Sequence, residues 1–104
     1  LMWSFMGHSH IDIYKILKKY TIVIIGSCKV IYEGRASSTL DYGERIVILK
    51  QDGSTLIHRP TGYKPVNWQP SGASIKIKPD DTQLIIEIVR RVPKEIIQIY
   101  QKIF

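Results

Sequence analysis

The run ERIVILKQDGSTLIHR, Glu44 to Arg59, leaves this chain little choice of fold. Two apolar, β-branched runs flank Asp52-Gly53, a pair whose dihedral tolerance suits a type I′ hairpin turn. With Gln51 opposite Ser54, Val47, Leu49 and Leu56 share one face with Arg45 and His58, while Ile46, Ile48 and Ile57 take the other. In that register Arg45 and His58 are diagonal neighbours. Apolar residues on both faces fit a barrel, or a sheet covered on both sides, better than a one-sided sheet.

Most of the chain has the same texture. TIVIIGSCKVIYEGR, from Thr21, reads as one long strand with a bend or bulge at Gly26. ASIKIKPDDTQLIIEIVRR reads as a second hairpin turning at Pro79-Asp80-Asp81, with Ile75 and Ile77 on one face and Lys76 and Lys78 on the other. In PKEIIQIYQKIF, Ile96, Ile99, Tyr100 and Ile103 fit a helix, and Ile97, Ile99 and Ile103 fit a strand. The β-branched content favours the strand. Between Ile11 and Tyr20, Ile13, Ile16, Leu17 and Tyr20 recur at helical spacing around Lys15, Lys18 and Lys19, which predicts one short amphipathic helix. Residues 1–10, LMWSFMGHSH, break the pattern and read as a disordered or vector-derived tail. A chain of 104 residues supports one core. The expected fold is mainly β: a small barrel or half-barrel of about five to seven strands over residues 11–104, with one short N-terminal helix. The apolar pattern runs up to Phe104, so the native chain is expected to continue past it.

Charge and motifs narrow the function. Fifteen basic against nine acidic residues give +6, which points to an anionic partner or to a solvated basic face. Cys28 is the single cysteine and sits in a strand-like run, where a small core residue is expected rather than a reactive thiol. No disulfide framework or zinc spacing exists, and His8, His10 and His58 lack further ligands at metal spacing. The phosphate-loop, nucleophile-elbow and His-Glu-x-x-His patterns are all missing. A metal-dependent nuclease centre needs an aspartate and then Glu-x-Lys. After Asp80-Asp81, Glu87 is followed by Ile88 and Val89, so the lysine is wanting. No catalytic centre and no cofactor are expected in these residues. Ile22 to Ile25 is too short to span a bilayer, and no signal peptide is visible, so a soluble cytoplasmic domain without membrane contact is expected.

The chemistry concentrates in GYKPVNWQP, Gly62 to Pro70, where two prolines stiffen a stretch that displays polar and aromatic groups. Trp68 can stack on any base or fill a core. Asn67 can pair with a base edge or form a turn. Arg35, after Gly34, can reach a phosphate or pair with Glu33 or Glu44. Arg45 and His58 make a polar patch that could touch nucleic acid or close a barrel end. Tyr63, Lys64, Lys76 and Lys78 fit the lining of a groove, and Arg90, Arg91 and Lys94 fit a solvated face.

Taken in order, YEGR, ER before the β-run, K-x-DGS-x-x-x-H and GYKPVNW, within Tyr32 to Gly72, resemble the N-terminal domain of the NucS/EndoMS family. These are archaeal and actinobacterial DNA endonucleases acting on mismatched or branched DNA. The resemblance implies a half-closed β-barrel that forms a homodimer and binds mismatched, branched or single-stranded DNA. It implies that Asn67 and Trp68 receive a flipped base and that Arg35 contacts DNA, and it makes the last segment a strand. It also implies a separate nuclease domain with Mg2+ or Mn2+, and a C-terminal tail that binds the sliding clamp, both beyond Phe104. Tyr63 departs from family members that carry a basic residue there. The competing expectation is a generic small barrel that binds RNA or polyanions or serves in assembly.

Overall fold

In the computed structural model, which describes residues 19–103, alternating β-branched residues build seven strands and a single antiparallel sheet. The strands are β1 (Ile22–Glu33), β2 (Ser37–Leu49), β3 (Thr55–His58), β4 (Asn67–Gln69), β5 (Ser74–Pro79), β6 (Gln83–Arg91) and β7 (Lys94–Lys102). Their order across the sheet is β4-β3-β2-β1-β7-β6-β5. No ladder joins β4 to β5, so the sheet is open rather than a closed barrel, and its two edges belong to strands that are consecutive in the chain. The expected tail and nearly all of the expected helix lie outside the described residues; of the helix only Lys19 and Tyr20 are described, both exposed.

Register explains the core. One face carries the cross-strand rows Ile77–Ile86–Ile99–Val30 and Ile75–Ile88–Ile97–Tyr32. Toward the other edge the same face carries Asn67–Ile57–Val47–Ile24 and Gln69–Thr55–Leu49–Ile22. Ile86, Ile88, Ile97, Ile99, Val47, Leu49 and Ile57 are fully buried. Each such side chain contributes about 1.5–3 kcal/mol on leaving water, as an upper estimate. β7 is a strand, as its isoleucines predicted, with Ile97 and Ile99 inward.

Three local expectations are corrected. The β2–β3 turn is not type I′. Lys50 and Ser54 are paired, Gly53 N–H donates to Lys50 O at 3.1 Å, and only Gly53 has positive φ, at 86°. This is a three-residue loop ending in a left-handed glycine, which needs one residue with positive φ instead of two. Asp52 Oδ1 accepts from Ser54 N–H (3.0 Å) and Ser54 Oγ (2.6 Å), and these bonds hold its carboxyl below the ordinary carboxylate value. The register therefore slips by one, pairing Val47 with Ile57 and Ile46 with His58, and Leu56 and His58 move to the outer face. Arg45 stays on the inner face, so it and His58 lie on opposite sides of the sheet. Nor is Gly26 a bulge. It pairs with Arg45 in the ladder, and the register shift lies between Cys28 and Val30. Gly26 instead makes room for the Gln101 side chain, whose amide a Cβ would strike. In the second hairpin Pro79 is the last residue of β5, and Asp80 to Thr82 make the turn.

Gly53 is the position most sensitive to a single carbon. A Cβ there would meet the Ala73 carbonyl, in a conformation that L-residues rarely adopt. Gly53→Ala is expected to destabilise by about 2 kcal/mol, lowering Tm by on the order of 10 °C in a thermal melt.

Candidate nucleic-acid interface

Strand alternation places the two residues of greatest interest. In β4, Asn67 is half-buried, Trp68 is 59% exposed and Gln69 is 4% exposed. Trp68 thus projects from the outer face, in a row with Leu56, Ile48 and Val23, and does not fill the core. Asn67 belongs to the opposite face. Its Oδ1 accepts from the Trp68 backbone N–H at 3.0 Å, which turns its NH2 group away as a free donor. The two side chains are adjacent in sequence but do not share one face.

His58, on the outer face of β3, lies diagonally across from Trp68 at a spacing of about 7–8 Å between such positions. The sequence had paired His58 with Arg45; the one-residue slip gives it the indole instead. Beyond β3, Tyr63 is 85% exposed, and Lys64 Nζ stands 5.7 Å from the centre of its ring, a cation–π distance. Tyr63, Lys64, His58 and Trp68 all belong to the β3–β4 region of the sheet. Lys76 and Lys78 are exposed on the outer face of β5, at the other edge.

Arg45 and Arg35 stand apart. The Arg45 guanidinium donates to Glu44 O (3.1 Å) and Asp41 O (3.2 Å), and its buried Nε has no partner. As placed, it seals its own strand. Arg35 is exposed in the β1–β2 loop, beyond Ser37, whereas the row through Trp68 meets β2 at Ile48. Positions 37 and 48 are separated by about 35 Å of strand, close to the 38 Å long axis of the molecule. Arg35 thus sits at the opposite end of β2 from the row through Trp68.

Beside Arg35, Tyr32 Oη donates to Glu95 Oε2 at 2.5 Å, tying β1 to β7 at the base of the loop. This bond, then desolvation and the Glu95 charge, raise the Tyr32 pKa above 10.0, against the Arg35 backbone and charge. Deeper in, Cys28 Sγ donates to Gln101 Oε1 at 2.7 Å, and burial pushes the thiol up to about 11, opposed by Arg45. That is the state of a core thiol. Among the described residues no group of three or more His, Cys, Asp or Glu side chains could hold a metal ion, and no helix is long and apolar enough to cross a membrane.

Sequence reasoning missed Arg90. Instead of facing solvent, it donates through Nε to Gln69 Oε1 (3.0 Å) and through Nη2 to Pro70 O (3.2 Å) and Ser71 O (2.8 Å). Its partners lie across the open seam, and no periodicity in β6 announces a contact with a loop some twenty residues earlier.

An open antiparallel sheet with an exposed indole on a short edge strand, next to an aromatic and cationic loop, makes this a small β-type domain with an exposed aromatic surface. The sequence profile described as the endonuclease NucS N-terminal PH-like domain matches residues 18–103, and the chain belongs to that family. An Endonuclease NucS from Methanocaldococcus jannaschii is 48% identical over 82% of this chain, covering 32% of its own length. A solved EndoMS–dsDNA2 complex superposes with a TM-score of 0.75 at 38% identity, over 82% of this chain and 35% of that one. A repair endonuclease from Pyrococcus abyssi gives 0.69 at 36% identity, over 86% and 43%. The chain spans about a third of the length of the curated relatives it matches.

The raised Tyr32 pKa means that the neutral phenol favours the fold. Its contribution is complete below the unfolded value near 10 and is lost as pH rises through the higher folded value. Tyr32→Phe is therefore expected to unfold at lower denaturant than the parent at pH 8, with the gap closing as pH is raised past 10. Urea titrations across that range check it.

Proposed function

We propose that this chain is the DNA-binding and dimerisation domain of a mismatch- or branched-structure-specific DNA endonuclease. The observation that carries the reading is the outward Trp68, supported by the dsDNA complex of a relative with the same fold. An exposed indole can stack on any base leaving the duplex. Leaving costs a few kcal/mol, and least at a mispair, so a platform that only accepts bases already favours mismatches. The Asn67 NH2 is a donor for a base acceptor near β4, and Tyr63, Lys64 and His58 extend the contact along the same region. Arg35 serves a phosphate at a distance from the stacking site. The exposed Val23 and Ile25, on the outer face of β1 three strands from Trp68, favour a second copy of the chain as partner, which would cover apolar surface and protect an open edge.

The metal site, with Mg2+ or Mn2+, belongs on this reading to a nuclease domain outside these residues, and sliding-clamp binding to a C-terminal tail; the whole protein is cytoplasmic. Relatives about three times as long leave room for such parts.

Fluorescence anisotropy with G·T-mismatched and matched duplexes tests the reading. Trp68→Ala, folded by circular dichroism, is expected to bind the mismatch about 5- to 150-fold more weakly, the equivalent of one stacked base. Parent-like binding by that variant would refute the stacking role. Equal affinity of the parent for heparin, RNA and every duplex would favour a generic polyanion-binding barrel instead.

A further inference from the structure

β4 is an anomaly as a support for a recognition residue. It has three residues and pairs only with β3, and the next strand in the chain is on the opposite edge of the sheet. Pro65 and Pro70 bracket it and carry no N–H, so neither can extend the ladder by donation. A strand held on one side by three register positions is expected to fray. Across the seam, Arg90 spreads its planar donors over Gln69 Oε1, Pro70 O and Ser71 O, at 3.0, 3.2 and 2.8 Å. Gln69 immediately follows Trp68, is nine-tenths buried, and points inward while the indole points outward. From the other side, Gly72 N–H donates to Asp52 O at 3.0 Å, so the segment after Trp68 is held from both flanks.

We infer that Arg90 is a positioning residue: its three-point clamp replaces the missing strand neighbour of β4 and sets the direction of the Trp68 indole. The inference rests on the stacking role proposed for Trp68. Rigid support matters because a stacking platform gains affinity only when its plane is set before the base arrives. Geometry, not charge, does the clamping. A lysine at position 90 keeps the positive charge but presents a single ammonium in place of the fork.

The test uses the 104-residue chain with Trp3→Phe, which leaves one indole, and compares Arg90→Lys, Arg90→Gln, Gln69→Met and Trp68→Ala. Affinity for G·T-mismatched and matched duplexes is measured over a salt series, and the Trp68 indole N–H resonance is recorded without DNA. Arg90→Lys and Gln69→Met are expected to displace or broaden that resonance and to weaken mismatch binding about tenfold. The slope of log affinity against log salt is expected to stay at the parent value. If Arg90 met a phosphate directly, Arg90→Lys would bind as the parent and Arg90→Gln would lower the slope by about 0.9. That pattern, or an unmoved indole resonance in folded Gln69→Met, overturns the inference. Gln69→Met alters no charge and decides the matter if the Arg90 variants fail to fold. Parent-like binding by Trp68→Ala would overturn the stacking role, whereas a displaced resonance in Arg90→Lys would still report the clamp.

Discussion

Four residues, Pro70 to Ala73, join one edge of this sheet to the other, and the rest of the structure accommodates that link. Seven strands laid flat place their outer members about 29 Å apart. The Cα atoms of Gln69 and Ser74 can be at most about 18 Å apart even when the connection is fully extended. A flat sheet is therefore impossible, and the strands must curl until their edges approach. Curling creates the concave side on which the isoleucine rows meet. It also makes the Arg90 clamp possible, by bringing the end of β6 to the residues after β4. The core and the seam are two results of the same short connection.

The hairpins, the strand identity of the last segment and the inward positions of Ile75, Ile97 and Ile99 were legible in the sequence, because each depends on local alternation. The register of β2 and β3 was not. Asp-Gly suits two turn types, and the choice lay with Ser54, whose backbone and hydroxyl both bond the Asp52 carboxyl. One residue of slip then exchanged the faces of Leu56, Ile57 and His58. Arg90 was illegible for a different reason: its partners are a buried glutamine and two carbonyls, and carbonyls leave no trace in a side-chain pattern. Of the candidate residues, the order of the motifs marked out Asn67 and Trp68. Their placement on opposite faces follows from β4 being a strand, which the stiffened stretch between two prolines did not announce.

Edge strands invite other strands, and a recognition residue on an edge risks drawing the wrong partner. β4 limits that risk by being three residues long and bracketed by prolines, so little backbone is left for another chain to pair with. What remains exposed is the side-chain face, where Trp68 and Val23 stand out from the row they share with Leu56 and Ile48. Such a surface favours contacts through planar or apolar groups over strand addition. Aromatic stacking is contact of that kind.

The division between Asn67 and Trp68 also bears on where selectivity can arise. An indole stacks on all four bases, so stacking alone supplies affinity without preference. The Asn67 carbonyl already uses one of its two lone pairs on the Trp68 N–H, so on the proposed reading its NH2 is the less encumbered group to meet a base. One amide that meets a base mainly through its NH2 distinguishes acceptor-bearing edges from others but does not read a full base-pair pattern. On the proposed reading, most of the discrimination therefore lies in the duplex: a mispaired base costs less to unstack than a paired one. A platform held rigidly at a sheet edge exploits that difference well, because little ordering cost on the protein side remains to blur it.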